Sequence, residues 1–173
     1  MKDQLKVVIA GPTGAGKTTA VSTISDVPVV TTEERSTDLT SGRKPTTTVA
    51  LDFGSTTLGG FEPIHIYGAP GQERFSFMWD ILADKGSGLI LLCDNSSSDP
   101  IADMSFYLNV FKHYIAKTKL VIGITRTDLS QSFSIDEYKQ ALNRLRLNAP
   151  ILVVDARCKN DVSKLLKTLL SAI

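Results

Sequence analysis

The chain has 173 residues, with 19 Lys+Arg against 18 Asp+Glu and a formal net charge of +1. At 42% hydrophobic and 21% charged residues it reads as one globular domain, long enough to bury about 70% of its unfolded surface. Balanced charge removes the footprint of a nucleic-acid binder, no apolar run reaches the length of a membrane span, and Cys93 and Cys158 stand too far apart for a disulfide framework or zinc-ligand spacing.

Met1-Lys2-Asp3-Gln4 runs directly into a short apolar segment, too brief for a signal-peptide core, with Lys2 where myristoylation needs glycine. The chain ends Leu170-Ser171-Ala172-Ile173, without a prenylation motif, so the expectation is a cytoplasmic protein with no lipid anchor. Leu5 to Ala10 predicts a buried strand, Gly11 to Gly16 a glycine-punctuated turn and Lys17 to Ser25 a helix. Asp26 to Thr48 is rich in Thr, Ser and charge and has neither strand nor helix period, so it reads as a long functional loop.

Val49 to Phe53 and Ile64 to Tyr67 predict strands joined through Gly59-Gly60. Leu89 to Cys93, Leu120 to Ile124 and Ile151 to Val154 are unbroken apolar runs, the pattern of parallel strands covered on both faces. Helical spacing links Met104, Leu108, Phe111 and Ile115, then Ile135, Tyr138, Leu142 and Leu145. It returns in Val162, Leu165, Leu166, Leu169 and Leu170, behind Asn160 or Asp161 as the expected cap. The expected fold is therefore one α/β domain over residues 1–173, doubly wound, with a mostly parallel six-stranded sheet and one antiparallel edge hairpin.

Gly11-Pro12-Thr13-Gly14-Ala15-Gly16-Lys17-Thr18 fits the full Walker A pattern between a predicted strand and helix. Its glycines let backbone N–H groups turn inward around a phosphate, Lys17 supplies a cation for the β/γ-phosphates, and the Thr18 hydroxyl suits Mg²⁺. The pattern specifies a nucleoside triphosphate but not its base.

Four further segments stand in the order used by the Ras-like small GTPases, so the resemblance covers essentially the whole chain. Thr48-Val49-Ala50-Leu51-Asp52-Phe53 resembles the end of switch I, where the resemblance gives Thr48 a role at Mg²⁺ and the γ-phosphate; spacing to Asp52-Phe53 favours it over Thr46 and Thr47. Gly68-Ala69-Pro70-Gly71-Gln72-Glu73-Arg74-Phe75 resembles switch II, which implies that the Gly71 N–H meets the γ-phosphate and Gln72 orients the attacking water. Gly68 replaces the aspartate that most of these proteins use to hold Mg²⁺ through water, and with Pro70 it is similar to the bacterial and archaeal MglA-type branch. Asp94, ending the next strand, is a candidate indirect substitute.

Thr125-Arg126-Thr127-Asp128 stands where the family carries its guanine-reading motif, with Arg126 replacing the usual lysine. A carboxylate at Asp128 accepts from guanine N1–H and its exocyclic amine, whereas adenine has no donor at N1. Asp155-Ala156-Arg157 resembles the loop whose backbone N–H at Ala156 meets the guanine oxygen.

The implied nucleotide-binding set is Gly11, Thr13, Gly14, Ala15, Gly16, Lys17, Thr18, Thr19, Gly71, Thr125, Arg126, Asp128, Ala156 and Arg157. Gln72 and Thr48 are the expected catalytic residues, and Thr18 and Thr48 the expected Mg²⁺ ligands. The implied activity is a GTP/GDP switch with slow hydrolysis, acting as a monomer or weak dimer on a regulatory or effector protein, for which the branch suggests a Roadblock-fold partner. A nucleotide-binding scaffold with negligible turnover is the alternative; a P-loop small-molecule kinase is disfavoured because no arginine-rich lid segment is evident. Five large apolar residues within Phe75 to Ile81 place Phe77 or Trp79 on the surface, and Trp79 is the expected side chain at the partner face.

Overall fold

A computed structural model describes residues 5–36, 47–58, 62–71, 79, 81–82, 86–130 and 132–173, with backbone alone for 32–36 and 47–50. The elements run β1 (Lys6–Ala10), α1 (Lys17–Ile24), β2 (Val30–Ser36), β3 (Thr47–Thr56), β4 (Ile64–Gly68) and β5 (Gly88–Asp94). Then follow α2 (Pro100–Val110), α3 (Lys112–Ile115), β6 (Lys119–Thr125), a 3₁₀ turn (Thr127–Leu129), α4 (Ile135–Arg144), β7 (Ile151–Val153) and α5 (Lys159–Leu170).

The seven strands form one sheet in the order β2-β3-β4-β1-β5-β6-β7. All pairings from β4 to β7 are parallel, while β3 runs antiparallel to both β2 and β4. Alternate residues of the central strands enter opposite cores. Val8, Leu89, Leu91 and Ile122 face α2 and α4; Val7, Ile9, Ile90 and Val121 face α1 and α5. This two-sided burial explains why β1, β5 and β6 carry continuous apolar runs.

The seventh strand is β2, which lies inside the stretch read as a loop. It pairs with β3 from Val30↔Phe53 to Ser36↔Thr47 and extends β3 beyond the predicted Val49 to Phe53. β2 is an edge strand, and its sequence VTTEERS combines β-branched residues with charge. Such a strand needs no apolar alternation, so periodicity does not reveal it.

The cap of α5 also differs from expectation. The cap position is Cys158, and the Asp161 carboxylate turns back to accept the Asp155 N–H at 3.0 Å. Asp161 thus braces a loop rather than capping its own helix.

Trp79 is buried, only 2% exposed, which corrects its expected place on the surface. Its ring packs 5.5 Å from Tyr107 and 5.6 Å from Phe111, and Nε1–H donates to the Pro70 carbonyl at 2.8 Å. An aromatic pocket that also satisfies the indole N–H outweighs solvent exposure. Ile81 takes the outward position instead, 62% exposed, while Leu82 is buried as expected; Phe75, Phe77 and Met78 lie outside the described residues. The sole tryptophan should therefore emit in the blue and resist iodide quenching, and Trp79→Ala should destabilise the fold by about 3–5 kcal/mol in urea titration. Ready quenching by iodide would contradict the burial.

Candidate functional site

β1 sits in mid-sheet between β4 and β5, and its carboxyl end opens into the 11–16 turn. That is the crevice position in which doubly wound sheets bind ligands. The Gly11-to-Thr18 turn brings its predicted residues together as a loop wrapped on the start of α1. Gly16, at φ 94, precedes α1, and no side chain caps the helix. Its first amides therefore remain as donors, at the positive end of the helix dipole.

Lys17 folds back into this loop. Its Nζ donates to the Pro12 carbonyl at 2.6 Å, and burial, opposed by the nearby Asp52 carboxylate, pushes its pKa down to about 8. The amine is still mostly protonated at neutral pH, in a setting that raises the strength of any contact with an anion.

A carboxylate that the sequence reading did not single out stands beside it. Asp52, buried in β3, accepts from the Thr18 hydroxyl through Oδ2 at 2.5 Å and from the Thr31 hydroxyl through Oδ1 at 2.9 Å. The available signal was a lone acid inside an apolar strand, Leu51-Asp52-Phe53. A hydroxyl and a carboxylate side by side form a hard oxygen set that fits Mg²⁺. Thr18, expected as an Mg²⁺ ligand, contributes the hydroxyl of this pair. Thr48 is not brought to it: it lies four positions before Asp52 along β3, about 13 Å at strand rise, and pairs with Arg35 in β2.

Asp94, the candidate indirect substitute, has partners of its own. Its Oδ1 accepts from the Ser96 N–H and hydroxyl, and Oδ2 lies 3.5 Å from the Arg126 guanidinium. Its carboxylate thus turns to the loop after β6, where Arg126 adopts a left-handed φ of 57.

Gly71 lies against the phosphate loop. A Cβ there would fall 2.6 Å from the Thr13 amide nitrogen and 2.7 Å from Lys17 Nζ. The Gly71 carbonyl accepts from the Tyr107 hydroxyl at 2.6 Å, next to the Pro70 carbonyl held by Trp79. Gln72 lies outside the described residues.

On the other side of the loop a cleft of about 660 Å³ gathers Ala15, Gly16, Thr19, Thr125, Arg126, Asp128, Ala156 and Arg157, all of them expected. Buried Thr125 ties its floor together, its hydroxyl lying 3.0 Å from the Ala15 carbonyl and 3.2 Å from that of Cys93. A Cβ on Gly16 would meet the Ala156 methyl at 2.9 Å, so the phosphate loop and the 155–157 loop are in contact. Arg157 is committed to its neighbour: Nη2 donates to Asp155 at 2.7 Å, and these hydrogen bonds hold the Asp155 carboxyl near 2. Asp128 is exposed at the cleft, in the turn that follows β6. Volume and lining suit a nucleobase beside a phosphate cradle.

A glycine-rich loop between a central parallel strand and a helix, with its lysine and threonine in place, defines a P-loop nucleotide-binding protein. The chain belongs to the family described as conserved hypothetical ATP binding protein, whose model matches residues 9–173. It is also 35% identical over 96 residues to a protein of Methanocaldococcus jannaschii described as Uncharacterized protein MJ1339. That match takes in 56% of this chain and 54% of the relative, so the chain spans about half the length of the protein it matches. No helix among the described residues is long and apolar enough to cross a membrane.

Proposed function

We propose that the chain is a GTP-binding switch that hydrolyses GTP slowly, of the Ras-like, MglA-type kind. One observation carries the choice of base. Asp128 lines a cleft that Ala15 and Gly16 of the phosphate loop, Arg126 and Ala156 also line. A carboxylate there accepts two hydrogen bonds from guanine and meets no N1 donor on adenine.

The phosphates would lie along the 13–18 loop, with the Lys17 amine against them and the Thr18 hydroxyl available to Mg²⁺, which when bound would neutralise phosphate charge. Gly71 would sense the terminal phosphate, a role supported by its close approach to Thr13 and Lys17. Gln72 would then orient water. Positioning of this kind without an inserted arginine gives slow turnover, since an arginine finger contributes about 10³–10⁵ in rate. A regulatory or effector protein at the switch face, Roadblock-fold by resemblance, completes the reading; Ile81, which is exposed, would offer it an apolar side chain.

Direct titration with GTP and ATP is the first test, and a preference for ATP, the nucleotide named in the family description, would overturn the assignment. Asp128→Asn sharpens it. The amide donates where the carboxylate accepted, so GTP affinity should fall by about 10²-fold while xanthosine triphosphate gains. Unchanged base preference in that variant would remove Asp128 from the site. Single-turnover phosphate release separates the slow GTPase from a scaffold without turnover.

A further inference from the structure

The register of two neighbouring strands places a carboxylate where position 68 has none. Asp52 of β3 and Gly68 of β4 are direct partners in the antiparallel ladder. A Cβ built on Gly68 would fall 3.2 Å from the Asp52 Cβ and 3.3 Å from its Oδ2. The Asp52 side chain thus occupies the space that an acid at position 68 would need, and two carboxylates there would repel. We propose that Asp52 is the outer-shell carboxylate of the Mg²⁺ site, supplied across the sheet from β3 in place of a residue at position 68.

The hydrogen bonds give it a defined role. The Thr18 hydroxyl donates its proton to Asp52 Oδ2, which leaves the oxygen lone pairs of Thr18 turned away from Asp52 and available to a cation. The Thr31 hydroxyl fixes the other carboxylate oxygen, so Asp52 is held at both ends. Its charge also lies close enough to Lys17 to favour the protonated amine against burial. Asp52 is in this sense a positioning residue: it orients a ligand and offers an acceptor to metal-bound water.

The inference rests on the nucleotide-site reading but not on the choice of base. The test is dissociation of methylanthraniloyl-labelled GDP, or of labelled ADP if the wild type holds that instead, followed across free Mg²⁺ concentrations. Each protein's rate in excess EDTA serves as its own baseline. For Asp52→Asn, which keeps the size and an acceptor oxygen, the Mg²⁺ midpoint should rise by about tenfold or more. A midpoint within about twofold of wild type overturns the proposal, below the range that outer-shell changes produce.

The exchange variant Asp52→Gly with Gly68→Asp keeps the question open to refutation if Asp52→Asn does not fold. Returning the acid to β4 should bring the midpoint within about fivefold of wild type, whereas a loss of about tenfold or more overturns the shared role. A wild type that holds neither labelled diphosphate overturns the nucleotide reading itself, and this proposal with it.

Discussion

Lys17→Met should bind no measurable triphosphate and yet melt at or above the wild-type temperature. The loss follows from removing the only side-chain cation that the phosphate loop itself contributes, seated 2.6 Å from the Pro12 carbonyl at the centre of the turn. The gain follows from the pKa near 8, which burial sets below the ordinary 10.5. Keeping that amine charged in the folded protein costs up to about 3 kcal/mol at 1.36 kcal/mol per pH unit. Below pH 8 both folded and unfolded chains are protonated and the penalty is complete. Between about 8 and 10.5 the unfolded chain holds a proton that the folded one has released, so wild-type stability rises relative to the variant as pH climbs. The advantage of Lys17→Met should shrink to nothing across that window. Subtracting the two proteins' urea titrations isolates the effect from Cys93 and Tyr138, whose buried groups titrate upward in both. A variant less stable than wild type at pH 7, or one that retains GTP and ATP binding, would contradict this account.

Gly11→Ala should fail to fold, or fold with a loss of more than about 4 kcal/mol. Gly11 has a φ of 141, and a Cβ there would lie 2.1 Å from the Leu92 carbonyl oxygen. That oxygen belongs to the backbone of β5, locked in the ladder beside β1, so no side-chain rotation relieves the clash. Gly14→Ala supplies the contrast. Its φ of 87 is also left-handed, but the nearest atom to a new Cβ is Asp94 Oδ2 at 3.8 Å. Only backbone strain of about 1–3 kcal/mol is expected there, leaving a folded protein. Denaturant midpoints for the pair give the measurement, and equal values would show that packing against β5 is not what excludes a side chain at Gly11.

These contrasts mark what a one-dimensional reading can reach. Strands β1, β5 and β6 are legible because both faces are buried, leaving continuous apolar runs. The phosphate loop is legible because its spacing is local. Edge strand β2 is not, since a strand on an outer edge need carry no apolar alternation to detect. Asp52 is missed for a different reason: its role depends on register with Gly68, a relation between strands rather than along one. Asp94 and Asp161 sit at sensible sequence positions, but their carboxylates turn to Arg126 and to the Asp155 amide, choices made by tertiary neighbours. Trp79 shows the limit of helical-face arguments, because pocket shape and an acceptor for its N–H decided its direction.

The paired grip on Pro70 and Gly71 has a mechanical meaning. Two successive peptide carbonyls are tethered to one aromatic cluster, one through the Trp79 indole and one through the Tyr107 phenol. Neither peptide can rotate without breaking its own tether, and each such bond contributes about 0.5–1.5 kcal/mol net. Pulling this dipeptide toward a ligand therefore meets a threshold of about 1–3 kcal/mol, comparable with one good charge-assisted contact. Because Tyr107 belongs to α2 and Trp79 rests on Phe111 at its end, the strain of that pull is delivered to the α2 face of the sheet, as a lever carries load past its pivot.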